Sequence, residues 1–179
     1  MKKANVLIFG DGGILGDALK LANAEYVYDV RMHDVTDEAY GCDSPAAREI
    51  DSWRADRQLA IIAVCGGVVP VGRLLPSLER PVDFLAVCTP ELPDEYGPDI
   101  QLGYVTHTGP ALLIIENAAE LTVNADDYVI DQCLQYQSQS ANVIIGAGDR
   151  RDTRPMLERP DSLAKVVQLV LKNIRTICS

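Results

Sequence analysis

The chain has no cysteine pair spaced Cys-x-x-Cys, and its five cysteines (Cys42, Cys65, Cys88, Cys133 and Cys178) are dispersed and odd in number. That pattern supports neither a disulfide framework nor a structural zinc site. Only two histidines occur, His33 and His107. With the scattered acids they make no metal-ligand spacing, so no metal is expected. Gly-x-Ser-x-Gly and Gly-Lys-Ser/Thr are both absent, which removes support for a serine-hydrolase elbow and for an NTPase phosphate loop. Basic residues are few: 16 Lys and Arg stand against 26 Asp and Glu, a net charge of -10. An acidic chain is a poor general binder of nucleic acid or of anionic membranes. No apolar run is long enough to span a bilayer. The apolar run after Met1-Lys2-Lys3 stops at Phe9 in glycine and aspartate, too short for a targeting segment, so the expectation is a cytoplasmic protein.

What is present is a globular composition. Of 179 residues, 47% are hydrophobic, which is enough for one domain over residues 1–179 with a substantial core. Neither an internal repeat nor a linker is visible.

Short apolar runs alternate with helical patterns. Strands are expected at Val6–Phe9, Tyr26–Val30, Leu59–Cys65, Val82–Cys88 and Val143–Ile145. Between them, Leu15–Ala24 has a helical stripe. Ser44-Pro45 supplies a cap and a first-turn proline for a second helix. On that helix Ala46, Ile50, Trp53 and Arg57 would share a face, with Trp53 in core packing. Asp161-Ser162 opens a last helix whose Leu163, Val166, Val167, Val170, Leu171, Ile174 and Ile177 form one apolar stripe. Ile100–His107 and Ala111–Glu116 read as two strands around Thr108-Gly109-Pro110, a turn short enough for a hairpin with an antiparallel edge. The fold class is therefore α/β: a single three-layer Rossmann-like domain, with a mainly parallel twisted sheet and helices on both faces. Thr89–Asp99 is a long acidic loop with the length of a lid or of an ordinary surface excursion.

The first unit, Val6 through Asp17, carries the most specific signal. A buried strand runs into Gly10-Asp11-Gly12-Gly13-Ile14-Leu15-Gly16. Glycines there permit a tight turn, close approach of backbone to a phosphate and close helix–strand packing, and the first helix amides would face an anion. Gly10, Gly13 and Gly16 fit Gly-x-x-Gly-x-x-Gly. With Tyr26-Val27-Tyr28-Asp29 as a second strand ending in an acid, this resembles the N-terminal part of the extended short-chain dehydrogenase/reductase family, which binds NAD(P). The resemblance covers about the first third of the chain. It implies a cofactor, NAD or NADP, on residues 10–16. Asp29 would meet the adenosine ribose, Arg31 a 2′-phosphate, and Gly66 would lie in the turn after the Leu59 strand. Asp34-Val35-Thr36-Asp37 looks like the family's acidic turn beside adenine. The family's Tyr-x-x-x-Lys pair is missing: Gly16, Asp161 and Gln168 stand four before Lys20, Lys165 and Lys172.

Strand ends gather further candidates, since ligands of such sheets bind beyond the carboxyl ends of the strands. Cys65, Cys88 and His107 are the candidate catalytic groups, a thiolate or a general base. Asp149, Arg150, Arg151 and Arg154 form a polar run whose arginines suit a phosphate or carboxylate, or equally an internal carboxylate network. Three functions are compatible with these residues. One is an NAD(P)- or nucleotide-binding protein, in its catalytic form an atypical oxidoreductase or epimerase. Another is a non-catalytic nucleotide-sensing module. The third is a transferase or hydrolase acting on a phosphorylated small molecule. All three take a small-molecule ligand, leave room for a homo-oligomer, and leave catalysis open.

Overall fold

The computed structural model describes residues 1–22, 25–33, 44–64, 67–89, 109–115, 141–145, 154 and 156–179. Its centre is a six-stranded sheet in the order β2-β1-β3-β4-β5-β6. The strands are β1 (Ala4–Gly10), β2 (Val27–His33), β3 (Gln58–Val64), β4 (Phe84–Thr89), β5 (Ala111–Ile115) and β6 (Ala141–Ile145). Every pairing in the sheet is parallel. β5 is thus a parallel member. The strand expected to precede it in a hairpin, Ile100–His107, lies outside the described residues. In sequence β1 is followed by β2 on one side and β3 on the other. The reversal point of the sheet therefore lies at β1 and β3, where open α/β sheets take their ligands. The third strand of a dinucleotide fold ordered 3-2-1-4-5-6 would lie beyond β2. Here it lies across β1, within the same three-layer Rossmann-like architecture.

Alternation along β1 explains the two faces. Ala4, Val6 and Ile8 point to one side, where Leu15 and Leu19 of α1 (Gly13–Leu21) and Val166, Val170 and Ile174 of α4 (Pro160–Cys178) cover them. Leu7 and Phe9 point to the other, against Ala46, Ala47 and Ile50 of α2 (Pro45–Arg54) and Val71 and Leu74 of α3 (Val68–Leu74). Ser44 caps α2 as its sequence predicts, with Oγ accepting from the Ala47 amide at 3.1 Å. α2 ends at Arg54, so Arg57 lies beyond it. Pro76 falls in a 3₁₀ turn, Leu75–Ser77, that follows α3. α4 begins earlier than Asp161: Arg159 is its cap residue and Pro160 takes the first-turn position. Its buried residues Val166, Val170, Ile174 and Cys178 recur every fourth position, the spacing that lays one face on the sheet. Burial pushes the Cys178 thiol up from its ordinary value, and the charge of Asp83 adds to the shift.

One charged side chain is built into this core. Arg54 is 4% exposed. Its Nη1 donates to the Arg80 carbonyl at 2.6 Å, and its Nη2 donates to the Pro81 carbonyl and stands 3.6 Å from Asp83 Oδ2. Asp83 Oδ2 also accepts from the Leu59 amide at 2.7 Å, so one guanidinium ties the end of α2 to the entries of β3 and β4. Burial lowers the Arg54 pKa and the Asp83 carboxylate opposes that shift, and a guanidinium keeps its charge in such a setting. Arg54→Ala orphans two carbonyls and strands Asp83 near the core. It is expected to cost about 2–4 kcal/mol, read as a lower urea midpoint at unchanged slope. Arg54→Lys should recover less than half of that, because a single ammonium lacks the fork that reaches both carbonyls. Full stability in Arg54→Ala would show that the tie is dispensable.

Candidate functional site

The carboxyl edge of β1 is built from backbone. Gly10 adopts φ +89°, a left-handed conformation that a side chain resists. A Cβ at Gly10 would lie 2.0 Å from the Val64 carbonyl oxygen, and one at Gly67 would lie 2.5 Å from that of Phe9. The turns after β1 and β3 thus meet backbone to backbone at the reversal point. Gly12 turns back through an amide donated to the Gly10 carbonyl at 2.9 Å, and Gly16 makes the first helical bond, to Gly12, at 2.9 Å. Gly16 also lets α1 settle on β2: its Cβ would stand 3.1 Å from Met32 Sδ.

Gly13 is different. A Cβ there would meet nothing within 4 Å, and its φ is one that any residue adopts. The chain itself gives no steric reason for a glycine at that position. Gly12, the cap residue of α1, has no side chain to cap with, and the first turn holds no acid. Among the described residues nothing accepts from the amides of Gly13, Ile14 and Leu15. Three amides at the positive end of a nine-residue helix are therefore without an acceptor among the described residues, beside the reversal point. Asp11 is exposed on the turn. Ile14 is half-exposed, whereas the Leu15 side chain is fully buried, so only the Leu15 amide belongs to the edge.

Other candidates fall elsewhere. β2 runs on to His33 rather than stopping near Asp29, and its register pairs Asp29 with Asn5 and His33 with Phe9. Four residues at about 3.3 Å each leave Asp29 roughly 13 Å short of the edge. Its Oδ1 accepts from the Val30 amide at 2.8 Å, and its Oδ2 takes the Arg31 Nε at 3.3 Å. Asp29 and Arg31 are thus partners of each other along β2, four and two residues before its tip, rather than at the strand end where the resemblance places a ribose and its 2′-phosphate. The residue at the tip of β2 is His33, whose ring lies 4.8 Å from that of Phe9 at 54°. As one of only two histidines His33 is a possible general base from sequence, but its place at the strand tip is hidden because Asp29-Val30-Arg31 looks like a strand end. The alternation of Val30 and Met32 toward α1 was the signal for a longer strand.

Cys88 lies at the end of β4. It is 4% exposed within the α1 and α4 core, where a cysteine packs as a small hydrophobe and lacks the access a nucleophile needs. Arg154 is exposed, and its carbonyl accepts from Arg159 Nε at 2.8 Å. Cys65, Gly66, His107, Asp149, Arg150 and Arg151 lie outside the described residues, as do the acidic turn 34–37 and nearly all of the loop at 89–99. Among the described residues no three His, Cys, Asp or Glu gather to hold a metal, and no helix is long and apolar enough to cross a membrane.

The described edge thus offers anion recognition by amides, with His33 to one side. No known family model matches the chain. No curated protein is similar enough to it to serve as a relative.

Proposed function

We propose that the chain binds a nucleotide at the carboxyl edge of β1 and β3, with NAD or NADP the ligands that the glycine spacing favours. The observation that carries this reading is Gly13, a glycine with no steric task in the chain, set in the uncapped, acid-free first turn of α1. A phosphate seated there would accept from the amides of Gly13, Ile14 and Leu15 and gain from the helix dipole. Gly10 and Gly67 support the reading by letting the backbones that follow β1 and β3 meet closely at that edge. With Asp29 far below the edge, the ribose argument for NAD over NADP is gone, and both belong in the test. An oxidoreductase or epimerase reaction on the bound cofactor would be a further property of the same site.

Thermal denaturation of the purified protein with NAD, NADH, NADP, NADPH, AMP and inorganic phosphate tests the reading. A ligand at a hundred times its dissociation constant stabilises the fold by about 2.7 kcal/mol. A dinucleotide is expected to raise the melting temperature accordingly. Stabilisation by AMP or phosphate alone would transfer the site to a phosphorylated small molecule. Six flat curves would leave the glycine turn as architecture only.

A further inference from the structure

A second concave site lies at the other end of β2, apart from the glycine turn. It is a groove of about 390 Å³ between the outer strand and the C-terminal turn of α2. Tyr28 and Trp53 form its walls, and each ring already carries a guanidinium. Arg57 lies 3.4 Å from the Tyr28 ring centroid and Arg31 lies 4.8 Å from that of Trp53. Stacking fixes the plane of a guanidinium while leaving its N–H edge able to donate. Arg31 spends its Nε on Asp29. Arg57 makes no ion pair among the described residues, so its fork is held in place without an acidic partner.

Asn5 is the second, independent sign. It lines the groove from β1 and is 1% exposed, on the sheet face that otherwise carries Leu7 and Phe9. Its Nδ2 donates to the Trp53 carbonyl at 2.6 Å, whereas its Oδ1 has no partner. Buried acceptors nearly always take a partner from the protein, from water or from a ligand. Three carboxylates, Asp29, Glu49 and Asp56, also line the groove.

We propose that this groove binds a small zwitterion of the α-amino-acid class. The ligand carboxylate lies in the Arg57 fork, and its ammonium faces Glu49 and Asp56 with Asn5 Oδ1 as a further acceptor. The charge arrangement favours this class. Three acids against two arginines disfavour a bare phosphate or a nucleotide, and a bare cation would leave the Arg57 fork without an acidic partner. Size agrees, since the volume is near the lower end of about 300–1,000 Å³ for ligand sites and suits an amino acid or dipeptide better than a dinucleotide.

Trp53 is the only tryptophan of the chain, so its fluorescence reports on the groove alone. Each of the common L-amino acids is titrated singly while the Trp53 emission and the Asn5 side-chain amide resonances are followed. At least one is expected to give a saturable change in both. Its N-acetyl and carboxamide forms, each lacking one charge, should bind at least tenfold more weakly, and so should the free amino acid to Arg57→Gln. Arg48→Gln, exposed on α2 outside the groove, should bind like the wild type. Flat titrations across all the amino acids would overturn the proposal. So would equal affinity for the acetylated and amidated forms, or unchanged binding in Arg57→Gln. NAD titrated into Arg57→Gln keeps the two sites distinguishable, because nothing at the glycine turn depends on Arg57.

Discussion

Gly10→Ala is expected to lose on the order of 4 kcal/mol of folding stability, a large part of the 5–15 kcal/mol typical of a domain. Two causes add. A left-handed φ costs an alanine about 1–2 kcal/mol. The added Cβ also falls 2.0 Å from the Val64 carbonyl oxygen, which is backbone of a central strand and can yield only by moving β3. The neighbouring glycines set a graded control. Gly67→Ala meets the Phe9 carbonyl oxygen at 2.5 Å without a positive φ, and should cost roughly half as much. Gly12→Ala meets the Ile8 Cγ2 at 2.6 Å, the end of a side chain, and should cost about 1–2 kcal/mol. Urea denaturation of the three variants checks the order, with midpoints shifting at constant slope. A Gly10→Ala protein within 1 kcal/mol of wild type would mean that the turns after β1 and β3 do not lock together as described.

The same glycine turn shows how far the sequence could be read. The strand, turn and helix at Ala4–Leu21 were legible because apolar run, glycine cluster and helical stripe all agree there. The Ser44-Pro45 helix start and the α4 stripe were legible for the same reason: each is a local signal with a local cause. Register was not. Whether Asp29 lies at the tip of β2 or four residues below it depends on pairing with β1, and a strand that carries Arg31 and His33 hides its own length. Edge strands tolerate such residues because one side of the strand has no partner. Side of insertion was hidden too. Nothing local to Leu59–Val64 says that β3 lies across β1 rather than beyond β2. The buried Arg54 escaped notice because its partners are the carbonyls of Arg80 and Pro81, groups that every residue carries. Among the described candidate site residues, Gly10 to Gly16 lie at and after the carboxyl end of β1, and Cys88 lies at the end of β4 with its side chain in the core. Asp29 and Arg31, read from a presumed strand end, lie before the tip of β2.

Gly13→Asp is expected to move stability and binding in opposite directions, and that opposition makes it the sharper test of the site. An aspartate at Gly13 has open space around it and an ordinary φ, so the fold can accept it. It replaces the poorer helix former at the positive end of α1, where an acid contributes about 0.3–1 kcal/mol. The free protein should therefore melt at the same temperature or slightly higher. A phosphate at the first amides would now face a carboxylate occupying its place. The stabilisation of about 2.7 kcal/mol expected of a dinucleotide at a hundred times its dissociation constant should vanish, corresponding to at least a hundredfold weaker binding. Gly13→Val separates bulk from charge: it adds volume in the same space without repulsion and should also abolish the ligand shift while leaving the free protein intact. Gly10→Ala cannot make this distinction, since it harms fold and site together. If Gly13→Asp binds a dinucleotide as tightly as the wild type, the phosphate is not on α1. If the variant loses both fold and ligand, Gly13 has a steric duty that the open space around it denies.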